Sequence, residues 1–338
     1  MIIGWSSLGA GLAAYALTAW LLRHSWMKRL IDRPNVRSSH SIPTPRGGGL
    51  SIVLATTCGL AILVADGLLP THLSVVLVLG GLSVAAVGFW DDVHSAPISV
   101  RMLVHLGSTA AALYLLGNAT TIRVGEWAAE LGWAGPFFWL IAIVWVVNLF
   151  NFMDGIDGIA ASEAAFILLG AAALGLFAAH CSPAQVAPAL LAGAACLGFL
   201  RWNWPPASIF MGDIGSGYLG YTIGVIAFDL SQNTAINFCA WLILGGVFLV
   251  DATLTLLRRL FRGERIYQAH RTHAYQWLAR RWGSHSRVTI AVLLVNLLWL
   301  YPCAAFAVEF PESAGWICVL ALAPLTVAAW LGGSGRPE

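Results

Sequence analysis

N-L-F-N-F-M-D-G-I-D-G, residues 148–158, decides how this chain is read. An apolar segment, 134–147, runs into it, and another, 159–179, leaves it. Asn148, Asn151, Asp154 and Asp157 recur at every third position. On a continuous helix, at ~100° per residue, four such positions spread over about half the circumference. Neighbouring members still share a face. Gly155 and Gly158 weaken a helix here and let backbone approach a ligand. Two acids and two amides at the mouth of a membrane segment are costly unless they meet water, a metal or a partner. One reading is a polar turn with a helix cap. The other is a site for a hard cation and a phosphorylated ligand, since Mg²⁺ is usually held by one or two carboxylates plus substrate phosphates.

The 338 residues are 59% hydrophobic and only 10% charged, against about 25% charged in a soluble domain. That excludes a soluble enzyme and implies an all-α polytopic integral membrane protein. The net charge of +2 is uninformative by itself. Cys58, Cys181, Cys196, Cys239, Cys303 and Cys318 lie in or beside apolar segments and form no C-x-x-C pair. They read as small apolar fillers, not a disulfide or zinc framework. No nucleic-acid partner is expected.

A span needs about 20 apolar residues. Eleven candidates emerge: 2–22, 47–65, 72–90, 101–118, 132–150, 158–179, 184–200, 208–228, 235–257, 287–308 and 314–332. The first has no basic start and is followed by positive charge, which marks an uncleaved span with its N-terminus outside. Alternation then makes 23–46, 91–100, 151–157, 201–207, 258–286 and the C-terminal tail cytosolic, within one domain, 1–338. Of 18 Lys and Arg, Arg123 alone falls in an outside loop, a strongly lopsided distribution of the positive-inside kind. The tail G-G-S-G-R-P-E reads as loose. All polar clusters thus converge on one membrane face.

Four further stretches carry chemistry. In Asp32–Gly49, Arg37, His40 and Arg46 are donors, and Gly47–Gly49 open backbone N–H groups to an anion. Asp91-Asp92 ends the third span, and Arg101 is placed to return across the short loop to it. In F-M-G-D-I-G-S-G, 210–217, Asp213 falls among glycines just inside the membrane and calls for a cation. H-R-T-H, 270–273, lies in the most basic loop; a zinc site is the weaker reading and a diphosphate clamp the stronger. Asp251 is expected to pair with Arg258 or Arg259, and Glu163 to support Asp157 from behind. His24, His105 and His180 read as structural.

These clusters, in this order, resemble the polyprenyl-phosphate N-acetylhexosamine-1-phosphate transferase superfamily, glycosyltransferase family 4. The resemblance covers nearly the whole chain. It rests on D-D at 91–92, N-x-x-D-G-x-D-G at 151–158, F-M-G-D-x-G-S at 210–216 and H-x-x-H at 270–273. R-S-S-H-x-x-P-T-P-R-G-G-G, 37–49, looks most like the O-antigen initiating branch. The family's H-I-H-H pattern is met only in part, because Ala274 stands at its last histidine. Eleven spans with the N-terminus outside also look like the enterobacterial-antigen type.

The resemblance implies a Mg²⁺-dependent enzyme, with Mn²⁺ as a substitute. A UDP-N-acetylhexosamine and undecaprenyl phosphate would give undecaprenyl-diphospho-N-acetylhexosamine and UMP. That is the first membrane step of O-antigen, or lipopolysaccharide, biosynthesis on the cytosolic face of a bacterial inner membrane. UDP-GlcNAc or UDP-MurNAc-pentapeptide in another pathway remains an alternative donor, and a flippase the reading from another class. By resemblance, Asp213 binds the metal with Asn151, and Asp91 and Asp92 form the catalytic pair with Asp213. Asp157 and Phe210 contact the uracil. Arg101 lies near the phosphates, and His270, Arg271, His273 and Arg46 hold the diphosphate. Asp154 and His40 join the substrate-binding set. Membrane lipid is a further partner, and a homodimer is allowed.

Overall fold

A computed structural model describes residues 1–24, 30–32, 42–117, 119–125, 127–264 and 271–336. His40 and His270, both expected in the site, lie outside the described residues. The helices in chain order are α1 (Ile2–Arg23), α2 (Gly49–Ala65), α3 (Thr71–His94), α4 (Ile98–Leu116), α5 (Gly135–Met153), α6 (Ile159–Phe177), α7 (Pro183–Asn203), α8 (Asp213–Asn233), α9 (Phe238–Leu244), α10 (Gly246–Phe261), α11 (Ala274–Trp282), α12 (His285–Glu309) and α13 (Pro311–Leu331). Two antiparallel pairs complete the described chain: β1 (Ile31–Asp32) with β2 (Thr44–Pro45), and the hairpin β3 (Thr121–Val124) with β4 (Trp127–Glu130). The protein is an all-α multi-pass membrane protein.

Among the described residues, eight helices are long and apolar enough to cross a membrane: α1, α3, α4, α5, α6, α7, α12 and α13. Each of the eleven expected segments coincides with a helix, with differences in three. The 235–257 segment is not one straight span but α9 and α10, bent by 80°. The bend falls at Gly245-Gly246, where each glycine costs a helix about 1 kcal/mol and offers no side chain to pack. α2 is a shorter apolar helix of 17 residues. α8, at 21 residues, carries Asp213, Ser216, Tyr218, Tyr221, Thr222 and Asp229 and is more polar than a lipid-facing span.

α8 stands at the centre, buried along nearly its whole length, with α2, α3 and α5 packed on it. Helices in lipid associate by close packing of small residues, because hydrocarbon tails offer no hydrophobic drive between them. The contacts follow that rule. A Cβ on Gly49 of α2 would lie 2.3 Å from the Gly215 Cα. One on Gly88 of α3 would lie 2.3 Å from the Asp213 carbonyl oxygen. One on Gly220 would lie 2.6 Å from the Val147 Cα of α5. These approaches bring Arg46, Asp91-Asp92 and Asn151 to the first turn of α8.

Three other expectations change. The C-terminal tail is not loose over its described part: Ser334 is fully buried and donates to Asp251 at 2.8 Å. Asp251 pairs with neither Arg258 nor Arg259; it accepts backbone N–H groups from Ala274 and Tyr275 at 2.8 and 3.1 Å. Its side chain leaves α10 on the side facing α11, whereas Arg258 lies over the Trp330 ring. Glu163 does not back Asp157. It accepts from Asn296 of α12 at 2.6 Å, within the helical core.

Candidate active site

The break after α5 follows from its sequence. Asp154 leaves the helix as its C-cap, and Gly158 takes the left-handed conformation, φ 76°, before α6 starts. The turn between is stapled to the chain leading into α8. Buried Asn203 accepts from Gly158 N at 3.1 Å and donates to the Ile209 carbonyl at 2.9 Å. Asp157 Oδ2 accepts from Ala207 N at 3.1 Å. On the other side, Phe210 N donates to the Pro45 carbonyl at 2.8 Å, and Gly48 N donates back to Phe210 at 2.9 Å. Gly49 N donates to Met211 at 2.9 Å. The N–H groups of Gly48 and Gly49 are therefore spent on the fold, and the expected anion contact through them is corrected. Their lack of a side chain serves packing instead: a Cβ on Gly48 would meet the Phe199 ring at 2.6 Å.

Three aspartates and two arginines meet at the N-terminus of α8. Asp92 accepts from Asp213 N at 3.0 Å and Ile214 N at 3.1 Å, and its Oδ1 lies 3.2 Å from Arg46 Nε. Arg46 Nη2 is also 4.0 Å from Asp213 Oδ1. Arg101 Nη1 donates to Asp91 and lies 3.3 Å from Asp213 Oδ2. Burial works against the charge on Arg46, but Asp92 and Asp213 more than offset it and hold its pKa above the ordinary value. Asn151 donates to Ser216 Oγ at 3.5 Å, which points its amide at the first turn of α8. Asp154 is near enough to feel Arg46, Asp92 and Asp157; burial pushes its carboxyl up to about 7, with Arg46 opposing.

Beside this cluster opens a cavity of about 520 Å³. Asp157, Phe210, Arg271, Gln276, Arg280 and His285 are among its walls. His285 Nδ1 lies 3.3 Å from Asp157 Oδ1. Phe210 belongs to the cavity and Asp213, three residues on, to the acidic cluster. One short stretch thus joins the two. A second, apolar cavity of about 230 Å³ lies between α5, α8 and the α9–α10 bend, with Phe138, Trp145, Ile223, Trp241 and Leu249 among its walls.

Of the residues singled out from sequence, Asp91, Asp92, Asp213, Arg46 and Arg101 meet directly, and Asn151 and Asp154 border them. Asp157, Phe210 and Arg271 meet at the cavity. His273 is 1% exposed, and its Nδ1 lies 3.8 Å from Asp251, so it faces the α10 side. Asn148 donates to its own helix, at the Val144 carbonyl at 2.7 Å. Sequence reading missed Asn203 and His285. Asn203 stands directly before the W-P-P turn, 204–206, and that turn is its signal in the sequence. His285 follows Gly283-Ser284, and Ser284 caps α12 by accepting from Arg287 N at 3.3 Å. That Gly-Ser pair is a helix stop and start signal.

The donors around the first turn of α8 are carboxylate and amide oxygens, the ligand type a hard cation takes. No group of three or more His, Cys, Asp or Glu side chains forms a metal-ligating set among the described residues. A hard cation completed by substrate phosphates needs fewer protein ligands, all oxygen. Asp213, with a 23% exposed side chain, and the Asn151 amide oxygen offer such donors.

An acid–arginine cluster beside a cavity with Arg271 and Arg280 in its walls is the kind of arrangement that binds phosphate groups. Comparison with known proteins makes this specific. Residues 74–231 match the family model "Glycosyl transferase family 4". A decaprenyl-phosphate N-acetylglucosaminephosphotransferase of Mycolicibacterium smegmatis is 31% identical, over 88% of this chain and 83% of its own length. A phospho-N-acetylmuramoyl-pentapeptide-transferase of Moorella thermoacetica is 30% identical, over 70% and 80%. A probable undecaprenyl-phosphate N-acetylglucosaminyl 1-phosphate transferase of Bacillus subtilis is 27% identical, over 80% and 75%. The chain belongs to the polyprenyl-phosphate hexosamine-1-phosphate transferases of glycosyl transferase family 4 and is a phosphosugar transferase.

Proposed function

We propose that this protein transfers N-acetylhexosamine 1-phosphate from a UDP-sugar to undecaprenyl phosphate and releases UMP. The observation that carries the reading is the join at 210–213: a nucleotide-sized cavity and a charge cluster share one short stretch of backbone. An oxygen of the lipid phosphate attacks the β-phosphorus of the donor. The bond from that phosphorus to the bridging oxygen breaks, and UMP leaves with that oxygen. A phosphomonoester has its second pKa near 6, so the nucleophile is largely ionised at neutral pH. Such a reaction asks chiefly for positioning and charge neutralisation.

Phe210 and Asp157 take the uracil, Phe210 by stacking, and Arg271 the diphosphate. Arg46 and Arg101 exchange their carboxylate partners for phosphate oxygens. Asp213 and Asn151 would hold Mg²⁺, or Mn²⁺ in its place, which would neutralise diphosphate charge. The apolar cavity at the α9–α10 bend suits the polyprenyl chain. The lopsided Lys and Arg distribution supports eleven spans, the N-terminus outside and the site on the cytosolic face of a bacterial inner membrane. O-antigen or a related cell-envelope polysaccharide is the pathway we favour, on the 37–49 stretch.

The test supplies undecaprenyl phosphate, Mg²⁺ and a panel of UDP-N-acetylhexosamines to membranes carrying the protein. One donor should give UMP and a lipid-linked sugar in equal amounts. Folded protein that turns over no donor and binds neither UDP nor Mg²⁺ would overturn the proposal.

A further inference from the structure

We infer that the C-terminal segment 332–336 is a latch on the donor cavity, acting through Asp251 as a positioning residue. Asp251 is 4% exposed, and its carboxylate collects four donors. Ala274 N and Tyr275 N lie at 2.8 and 3.1 Å, Thr255 Oγ1 at 3.2 Å, and Ser334 Oγ at 2.8 Å. The two N–H groups belong to the first turn of α11, where backbone donors lack helical partners and the helix end is positive. Asp251 therefore caps α11 from another helix, and the tail completes its hydrogen bonding.

The tail is held to both neighbours. The Ser334 carbonyl accepts from Arg258 Nη1 at 2.6 Å, and that guanidinium lies 3.3 Å from the centre of the Trp330 ring system. Gly335 N donates to the Thr272 carbonyl at 2.6 Å, just before α11. Gly335 has φ +70°, and a Cβ there would fall 2.9 Å from the Arg258 Cβ, so the crossing admits only glycine without distortion.

What α11 positions is the cavity wall. Gln276, Ala279 and Arg280 of α11, and Arg271 ahead of it, line the cavity. Tyr275 OH donates to the Phe152 carbonyl at 3.1 Å, beside the 154–158 turn. A Cβ on Gly155 would come 2.1 Å from that hydroxyl, so wall and turn are in direct contact. The path runs from Ser334 through Asp251 and α11 to the donor side of the site. Its catalytic consequence rests on the transferase reading; the latch itself does not.

The experiment compares wild type with Ser334→Ala in detergent, by hydrogen exchange, UDP binding and steady-state kinetics. Amides 274–276 should exchange about tenfold faster in the variant, the scale of one buried hydrogen bond. The UDP Kd and donor KM should rise about tenfold, while kcat and the KM for undecaprenyl phosphate stay within twofold. Unchanged exchange, or faster exchange with unchanged UDP affinity, overturns the inference. If wild type binds no UDP, the donor reading fails alone, and the exchange data still decide the latch. Should Ser334→Ala not fold, Ser334→Cys, a slightly larger side chain with a weaker donor, is read in the same way.

Discussion

Asp92 holds Asp213 by its backbone. Both Asp92 oxygens are committed at the N-terminus of α8, to Asp213 N at 3.0 Å and Ile214 N at 3.1 Å. Asp91, one residue earlier, faces Arg101, which also reaches the Asp213 carboxylate at 3.3 Å. Two adjacent aspartates that look interchangeable in sequence therefore have different work. Asp92, buried and paired with Arg46, orients the helix that presents Asp213, and Asp91, the more exposed of the two, pairs with Arg101.

Asp92→Asn should consequently damage fold and activity together. It replaces one charged acceptor by an amide NH₂ facing backbone donors, at a cost of about 2 kcal/mol, and should lower turnover more than 100-fold. Asp91→Asn should lower turnover with little change in melting temperature. Thermal melts in detergent alongside UMP release check this; equal melting losses in the two variants would contradict the division of roles.

Gly88 sets how close α3 comes to α8. Gly88→Ala places a methyl 2.3 Å from the Asp213 carbonyl oxygen, against backbone that cannot swing aside. Overpacking of this kind costs about 1–3 kcal/mol. Because it pushes Asp91-Asp92 away from Asp213, activity should fall at least tenfold even where the variant remains folded. UMP release per folded molecule is the measurement.

Asp154 gives the substrate-free protein a pH signature. Its carboxyl titrates near 7 in the folded chain and near 3.9 when unfolded. Between those values the native state binds the extra proton, so rising pH removes stability. The stability of wild type minus that of Asp154→Asn should fall from pH 5 to pH 8, a difference that pH-dependent melting reads directly. A flat or rising difference would contradict the burial of this carboxyl.

Much of this was legible in the sequence because polar residues in a membrane segment stand out against apolar neighbours. Asp91, Asp92, Arg101 and Asp213 were found in that way, and the Arg101 return across its short loop is as expected. The signal failed where a residue's role depends on a distant partner. Asp251 was matched to the nearest arginines in sequence, yet its partners lie on α11 and in the tail. Gly47–Gly49 looked like an anion nest, but two of its N–H groups face Phe210 and Met211, whose proximity only the fold creates. The α9–α10 bend hides inside an apolar run because hydropathy is blind to direction.

The most direct test of the central claim follows the two donor phosphates separately. Purified protein receives undecaprenyl phosphate, Mg²⁺ and a UDP-N-acetylhexosamine carrying ³²P at either the α or the β position, with Asp213→Asn as the blank. Sugar 1-phosphate transfer sends β label into the lipid fraction and leaves α label in UMP, and the blank transfers neither. Label released as UDP, with sugar but no phosphate on the lipid, would mean cleavage at the sugar carbon and would contradict the account.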